Sequence, residues 1–236
     1  MHSYGDTGQG IRCFQYGNRF THPRLPAITR FYIYSGIMFS SMLDALILKA
    51  KGFITNPVET FQQCREDEIR TVLAYFIPLL IFDAVMTGIV SLLEYLVFPM
   101  GMSAIFGMLF PVVVFFGALV GGTILLLLFT AWVHLLVWLA GGRKGIFQTF
   151  KGLTYGLTPS YLLNWIPFIG FLFDLWAIIL MTLGIRELQE ISGGRALVVM
   201  FIAIMVPVFI VILIVMYLVV AATGTQPMPV PAYNPF

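Results

Sequence analysis

The chain has 236 residues, 59% of them hydrophobic and only 10% charged, with a net charge of +2 and a mean hydropathy of +0.93. A soluble globular domain carries about a quarter charged residues, so this balance excludes one, and it leaves little chain outside the bilayer for a large catalytic domain. The 13 Lys and Arg residues form no basic run of the kind that nucleic acid requires.

Residues 1–37 read as a poorly ordered N-terminal arm. Gly5, Gly8, Gly10, Gly17, Pro23 and Pro26 interrupt it, and no helical period runs through it. Met38 and Met42 offer alternative translation starts. Residues 38–70 are expected to form amphipathic cytoplasmic surface helices. Phe39, Leu43, Leu46, Ile47, Ala50 and Phe53 recur at helical spacing, while Ser40, Asp44 and Lys51 fall mostly on the other face. A second short helix starts at Asn56-Pro57-Val58-Glu59, where Asn56 caps, Pro57 suits the first position and Glu59 completes a capping box. It ends near Arg65-Glu66-Asp67-Glu68. Cys13 and Cys64 lie in this cytoplasmic part, where reducing conditions argue against a disulfide. Two such distant thiols do not make a zinc site.

Residues 71–222 read as a five-span helical membrane bundle. A span needs about 20 apolar residues, and the five fall at residues 71–93, 111–139, 152–166, 170–188 and 196–222. Pro78 is expected to kink the first. Pro111 divides the apolar run 104–140, leaving residues 104–110 as a short segment at the outer interface. Pro159 lies in the third, and Asn164-Trp165-Ile166-Pro167 makes the outer turn into the fourth. Pro207 alone disturbs the fifth. Residues 223–236 form a Pro-rich tail, expected to be extended. The fold class is an all-α integral membrane protein: five transmembrane helices preceded by short N-terminal cytoplasmic surface helices.

Basic residues occupy only alternate gaps between these spans. Eight precede the first span, ending with Arg65 and Arg70. Arg143, Lys144 and Lys151 stand between the second and third, and Arg186 and Arg195 at the turn from the fourth to the fifth. The other gaps and the tail have none. Cytoplasmic loops retain Lys and Arg, so the N-terminus is placed in the cytoplasm and the C-terminus outside.

Three ionisable residues fall within spans: Asp83, His134 and Asp174. An intramembrane charge costs about 2.5–3.5 kcal/mol on insertion scales and marks function by default. Their depths differ too much for one cluster, although one neighbouring pair can meet. The structural alternative makes Asp83 a buried hydrogen-bonding partner, for example of backbone freed at a proline kink, and Asp174 a cap for the fourth span. Tyr155, Thr158 and Pro159 form a polar, kinked patch whose hydroxyls can satisfy carbonyls released by Pro159. Gly117-x-x-x-Gly121 and Gly152-x-x-x-Gly156 are small-residue pairs suited to helix packing within the bundle, or less strongly in a homo-oligomer. There is no Gly-x-Ser-x-Gly elbow, His-Glu-x-x-His or Walker loop, so no catalytic residue, metal ligand or cofactor is assigned.

Asn56-Pro57-Val58-Glu59-Thr60-Phe61 before the first span, Gly152-Leu-Thr-Tyr155-Gly156-Leu-Thr158-Pro159 in the third and Trp165-Ile-Pro167-Phe-Ile-Gly170 before the fourth resemble the Yip-one domain family of Ypt/Rab-GTPase-interacting membrane proteins. The likeness covers about residues 44–222. It implies five helical spans and a cytoplasmic N-terminus. Eukaryotic relatives are linked to GTPases and vesicle traffic, and carry a Tyr-Gly-Pro motif ahead of the first span. That motif is absent here. The chain is similar to the compact prokaryotic branch, which implies the prokaryotic cell membrane, and GTPase binding is not carried over. The expected function is a non-enzymatic membrane scaffold or adaptor that recruits a protein partner at the cytoplasmic face or organises lipid. The alternative is a small-solute or ion transporter or channel using Asp83 and proline-broken helices.

Overall fold

The computed structural model describes residues 43–98 and 100–224, with side chains through residue 221. The N-terminal arm, residues 38–42 and Cys13 lie outside the described residues, as does most of the Pro-rich tail. Every regular element described is helical.

The first helix, α1, covers residues 43–55. α2 follows at Pro57–Gln63. Pro57 stands in its first turn as expected, but the Asn56 side chain makes no cap hydrogen bond, so the capping box is not formed. Instead the Asn56 carbonyl accepts from the Thr60 backbone N–H at 3.1 Å and from the Thr60 hydroxyl at 2.8 Å. Glu59 accepts from the Gln63 amide at 3.4 Å, not from Asn56.

α3, Ile69–Val97, runs through Pro78 as one helix of 29 residues. Positive φ angles at Gly101 and Gly107 then bracket the short α4, Met102–Phe106. Only glycine takes such angles without a Cβ penalty. The chain is therefore divided at Gly107, ahead of Pro111, which sits in the first turn of α5, Phe110–Phe116. A π-helical turn at Gly117–Gly121 joins α5 to α6, Gly122–Leu139. α7, Ile146–Gly156, and α8, Thr158–Leu163, are the two halves of the third expected span. α9 covers Gly170–Gln189 and α10 Gly193–Gly224.

Among the described residues, three helices are long and apolar enough to cross a membrane: Ile69–Val97, Met102–Leu139 and Gly193–Ala221. The other two expected spans are less plain. α7 and α8 have only 11 and 6 residues, because Pro159 lacks the N–H that would bond the Tyr155 carbonyl. α9 is 20 residues long but carries Asp174, Arg186 and Glu187.

Two apolar cores hold the bundle. The larger joins α3, α6, α7, α9 and the start of α10 through Phe76, Leu80, Val133, Val137, Leu153, Ile185 and Met200. The smaller lies at the α1–α2 end and is built on Phe53, Phe61, Val72, Tyr75, Tyr155 and Leu188. Outside these cores the surface is itself apolar: Leu128 is 63% exposed and Phe209 62%. A protein with apolar side chains on both its inside and its outside is solvated by lipid.

Candidate functional site

The described basic residues converge on one end of the bundle, where α1, α2, the 65–68 turn, the 140–145 loop, the C-terminus of α9 and the start of α10 meet. Loop-to-loop bonds tie this end together. Gln189 donates to the Gly145 carbonyl at 2.8 Å and to Thr149 at 2.9 Å, and it accepts from the Lys144 backbone N–H at 3.1 Å. Gln62 donates to Glu187 at 2.9 Å. Arg65 donates to the Glu187 carbonyl at 2.9 Å. Arg65 and Lys144 both pair with the Glu190 carboxylate, at 2.8 Å and 2.5 Å.

Lys144 and Arg65 hold the exposed Glu190 carboxyl below its usual 4.5. Glu190 also ends α9 in a left-handed conformation, φ +54, which a non-glycine residue adopts at some cost. Its contribution to stability is therefore present above pH 4.5, the unfolded value, and is lost as pH falls through the lower folded-state value. Glu190→Gln should lower the melting temperature slightly at neutral pH and be silent at acid pH. Equal effects at both pH values would show that the carboxylate is not held by charge.

Beneath this rim lies a buried polar network. Lys49, on α1, points into the bundle, not to solvent. Its ammonium donates to Asp67 Oδ2 at 2.5 Å and to the Tyr155 hydroxyl at 3.0 Å. Tyr155 donates to the same Asp67 oxygen at 2.6 Å. The ammonium also sits 4.4 Å from the centroid of the Tyr155 ring, within cation–π range. Phe53 stacks on the other side of the network, 4.9 Å from Tyr155. Lys151, 1% exposed, donates to the carbonyls of Arg65 at 2.5 Å and Asp67 at 3.2 Å. Burial pushes the Lys151 pKa down, opposed by the charges of Asp67 and Glu66. The turn at residues 65–67 is thus pinned from α1 and from α7 at once.

Tyr155, Thr158 and Pro159 meet here. The Thr158 hydroxyl donates to the Tyr155 carbonyl at 2.6 Å, the acceptor that Pro159 leaves without an N–H. That uses Thr158's single proton, so in its 2.8 Å contact with Tyr75 the tyrosine must donate. The α7–α8 break is satisfied by side chains and cross-linked to α3.

The other expected positions are placed elsewhere. His134 Nδ1 lies 2.9 Å from the Thr149 hydroxyl and ties α6 to α7. Ser160 donates to Asp174 at 2.7 Å. Asp174 therefore fastens α8 to α9, and α9 begins without a side-chain cap. Asp83 and Asp174 lie within electrostatic range of one another. No hydrogen bond to Asp83 occurs among the described residues, so the expected role as a partner for freed backbone is not seen. Asp83→Leu should accordingly melt at or above the wild-type temperature in detergent, since it removes a charge that is costly in hydrocarbon. A clear drop would mean that the carboxylate has a structural partner.

The two glycine pairs differ. A Cβ on Gly152 would lie 3.1 Å from the Gly184 backbone, and one on Gly156 2.7 Å from the Met181 backbone. A Cβ on Gly117 or Gly121 would meet nothing within 4 Å, so close approach of another helix does not require glycine at that pair among the described residues. Sequence reasoning missed Lys49, Asp67, Thr149, Lys151, Glu187 and Gln189. Lys49 carried a usable signal: it is flanked by Ala50 and Phe53 on the face that docks.

Among the described residues, no group of three or more His, Cys, Asp or Glu side chains is arranged to hold a metal ion, and Cys64 is buried. No curated protein and no solved structure matches the chain. A family model described as the Yip1 domain matches residues 51–218, which takes in α2 through most of α10 and, of the buried network, Asp67, Lys151 and Tyr155 but not Lys49. The chain therefore belongs to the Yip1 domain family of non-catalytic membrane proteins.

Proposed function

We propose that this protein is a membrane scaffold or adaptor that uses the α1–α2 end as a cytoplasmic platform. In this reading the bundle has five membrane-embedded segments. The broken α7–α8 pair is the third and α9 the fourth. The N-terminus is cytoplasmic and the C-terminus outside.

The observation that carries it is the fixing of α1. A helix destined only to float on lipid would keep its lysines at the water surface. Here Lys49 is drawn into a buried ion pair, and Phe53 is fully buried against Phe61, Tyr75 and Tyr155. The reverse face of α1 presents Leu43, Ile47 and Leu48, 45–56% exposed. Burying a charge to hold a surface helix costs free energy. That cost is reasonable if the helix must be presented in one orientation, with an apolar stripe available to a partner or to the membrane interface.

Transport is the second reading, favoured by one observation, the proximity of Asp83 to Asp174. Affinity capture of the full chain in mild detergent, with mass spectrometry of proteins, lipids and solutes, separates the two. A soluble partner lost on Ile47→Glu, with Asp83→Asn silent, supports the platform. A solute or ion lost on Asp83→Asn supports transport and overturns it.

Topology is tested separately. Single cysteines at Met108 and Phe168, 77% and 100% exposed, should label from outside in intact cells. Cysteines at Lys144 and Ser192 should label only after permeabilisation. Protection of Phe168 alongside outside access at Lys144 would reverse the orientation.

A further inference from the structure

We propose that Arg143 and Arg195 form a binding site for the phosphate of one anionic phospholipid, at the membrane boundary where α6 ends and α10 begins.

Four of the nine described basic residues at this end pair with a carboxylate. Lys49 pairs with Asp67, Arg65 and Lys144 with Glu190, and Arg186 with Glu187. Lys151 is spent on backbone carbonyls. Lys51 on α1 and Arg70 on α3 are exposed and without a carboxylate partner among the described residues, and so are Arg143 and Arg195.

Arg143 and Arg195 also share a seat. Arg143 Nη1 donates to the carbonyls of Trp138 at 2.6 Å and Gly142 at 3.2 Å. Arg195 Nη1 stands 3.6 Å from the place a Cβ on Gly141 would take. Gly141 has φ +98, so this turn folds back as it does because a glycine is there. Both guanidinium groups thus lie on the turn formed by residues 138–142. Two cations held together without an anion repel one another. Arg195 further occupies the first turn of α10, which contains no acidic residue and where the helix dipole disfavours a cation.

The setting names the occupant. Trp138 is 52% exposed and lies 4.8 Å from the Arg143 guanidinium, as an aromatic belt residue does at headgroup level. Leu139, next to Trp138 in the chain, and Leu197, two residues after Arg195, are 67% and 63% exposed, a surface suited to acyl chains. A phosphate with two chains attached meets both halves: the arginines take its oxygens in paired hydrogen bonds and the leucines take the tails. A protein phosphosite would have to bring a polar chain against Leu139 and Leu197. The site does not depend on the scaffold reading, only on the ends of α6 and α10 reaching the membrane boundary.

The test is native mass spectrometry of the full chain in mild detergent, offered equal amounts of phosphatidylglycerol and phosphatidylcholine with the same acyl chains. Wild type should retain one phosphatidylglycerol preferentially. A charge-assisted hydrogen bond to phosphate contributes about tenfold or more, so Arg143→Gln/Arg195→Gln should reduce that preference by at least about tenfold. Lys51→Gln/Arg70→Gln removes the same charge from the same end and should keep most of it. Equal loss in both pairs means diffuse attraction to the basic face and overturns the site, as does a wild type without preference. Millimolar inorganic phosphate should not displace the lipid; if it does, the site is for free phosphate and the lipid assignment is wrong. Should the glutamine pair melt below wild type, Arg143→Lys/Arg195→Lys keeps the charge. A fall in preference there supports paired guanidinium contacts, and full retention overturns them.

Discussion

Asp67→Ala should lower the stability of the detergent-solubilised protein by about 3–5 kcal/mol, the usual cost of leaving one member of a buried ion pair unpaired. Asp67 Oδ2 accepts from both the Lys49 ammonium and the Tyr155 hydroxyl. Its side chain is 4% exposed and that of Lys49 16%, so water can replace little of what is removed. The remaining ammonium would be left against the faces of Tyr155 and Tyr75, which compensates for only part of a carboxylate. The readout that separates a lost contact from a stranded charge is the double variant. Lys49→Met/Asp67→Asn removes both charges with little change of volume, and should recover most of the loss. Asp67→Asn retains an acceptor for Tyr155 and should fall between. Asp67→Ala melting with the wild type would mean that α1 is not held by this pair, and the argument for a fixed platform would lose its support.

How much of this arrangement was legible in the chain depended on what each residue had to meet. α3 and α10 announce themselves because lipid demands an uninterrupted apolar run, a property of one segment alone. The α7–α8 break was legible for a similar reason: Pro159 has a local consequence, and Thr158 lies next to it to answer it. The Lys49–Asp67–Tyr155 network was not. Its members are 18 to 106 positions apart, and each taken singly reads as a solvated interfacial charge or a span tyrosine. Only the packing of α1 onto α3 and α7 turns three unremarkable residues into a buried unit. Asp174 shows the same limit. Its position near the start of α9 suggested a cap, but the neighbouring α8 supplies Ser160 as a closer claim. Divergent fates of the two glycine pairs make the point again, since identical spacing cannot say whether another helix approaches closely.

That divergence gives the second large expected effect. Gly156→Ala should destabilise the bundle by about 1–3 kcal/mol or more, the range for forcing volume into a filled interface. The added methyl would lie 2.7 Å from both Cα and N of Met181. Those are backbone atoms of a long helix, so no rotamer change relieves the contact and α7 must move away from α9. Gly152→Ala meets the Gly184 backbone at 3.1 Å and should cost less. Gly121→Ala meets nothing and should be neutral or gain up to about 1 kcal/mol from helix propensity. Thermal melts of the three variants should therefore rank Gly156→Ala lowest, then Gly152→Ala, then Gly121→Ala. The largest change should also spread. Lys151 and Tyr155 lie on the same helix as Gly156, so a displaced α7 loosens the bonds that pin the 65–67 turn and the seat of α1. Limited proteolysis near residues 43–55 should accordingly accelerate in Gly156→Ala but not in Gly121→Ala. A Gly156→Ala protein that melts with Gly121→Ala would show that α7 and α9 do not approach this closely, and that the cytoplasmic end is not braced through them.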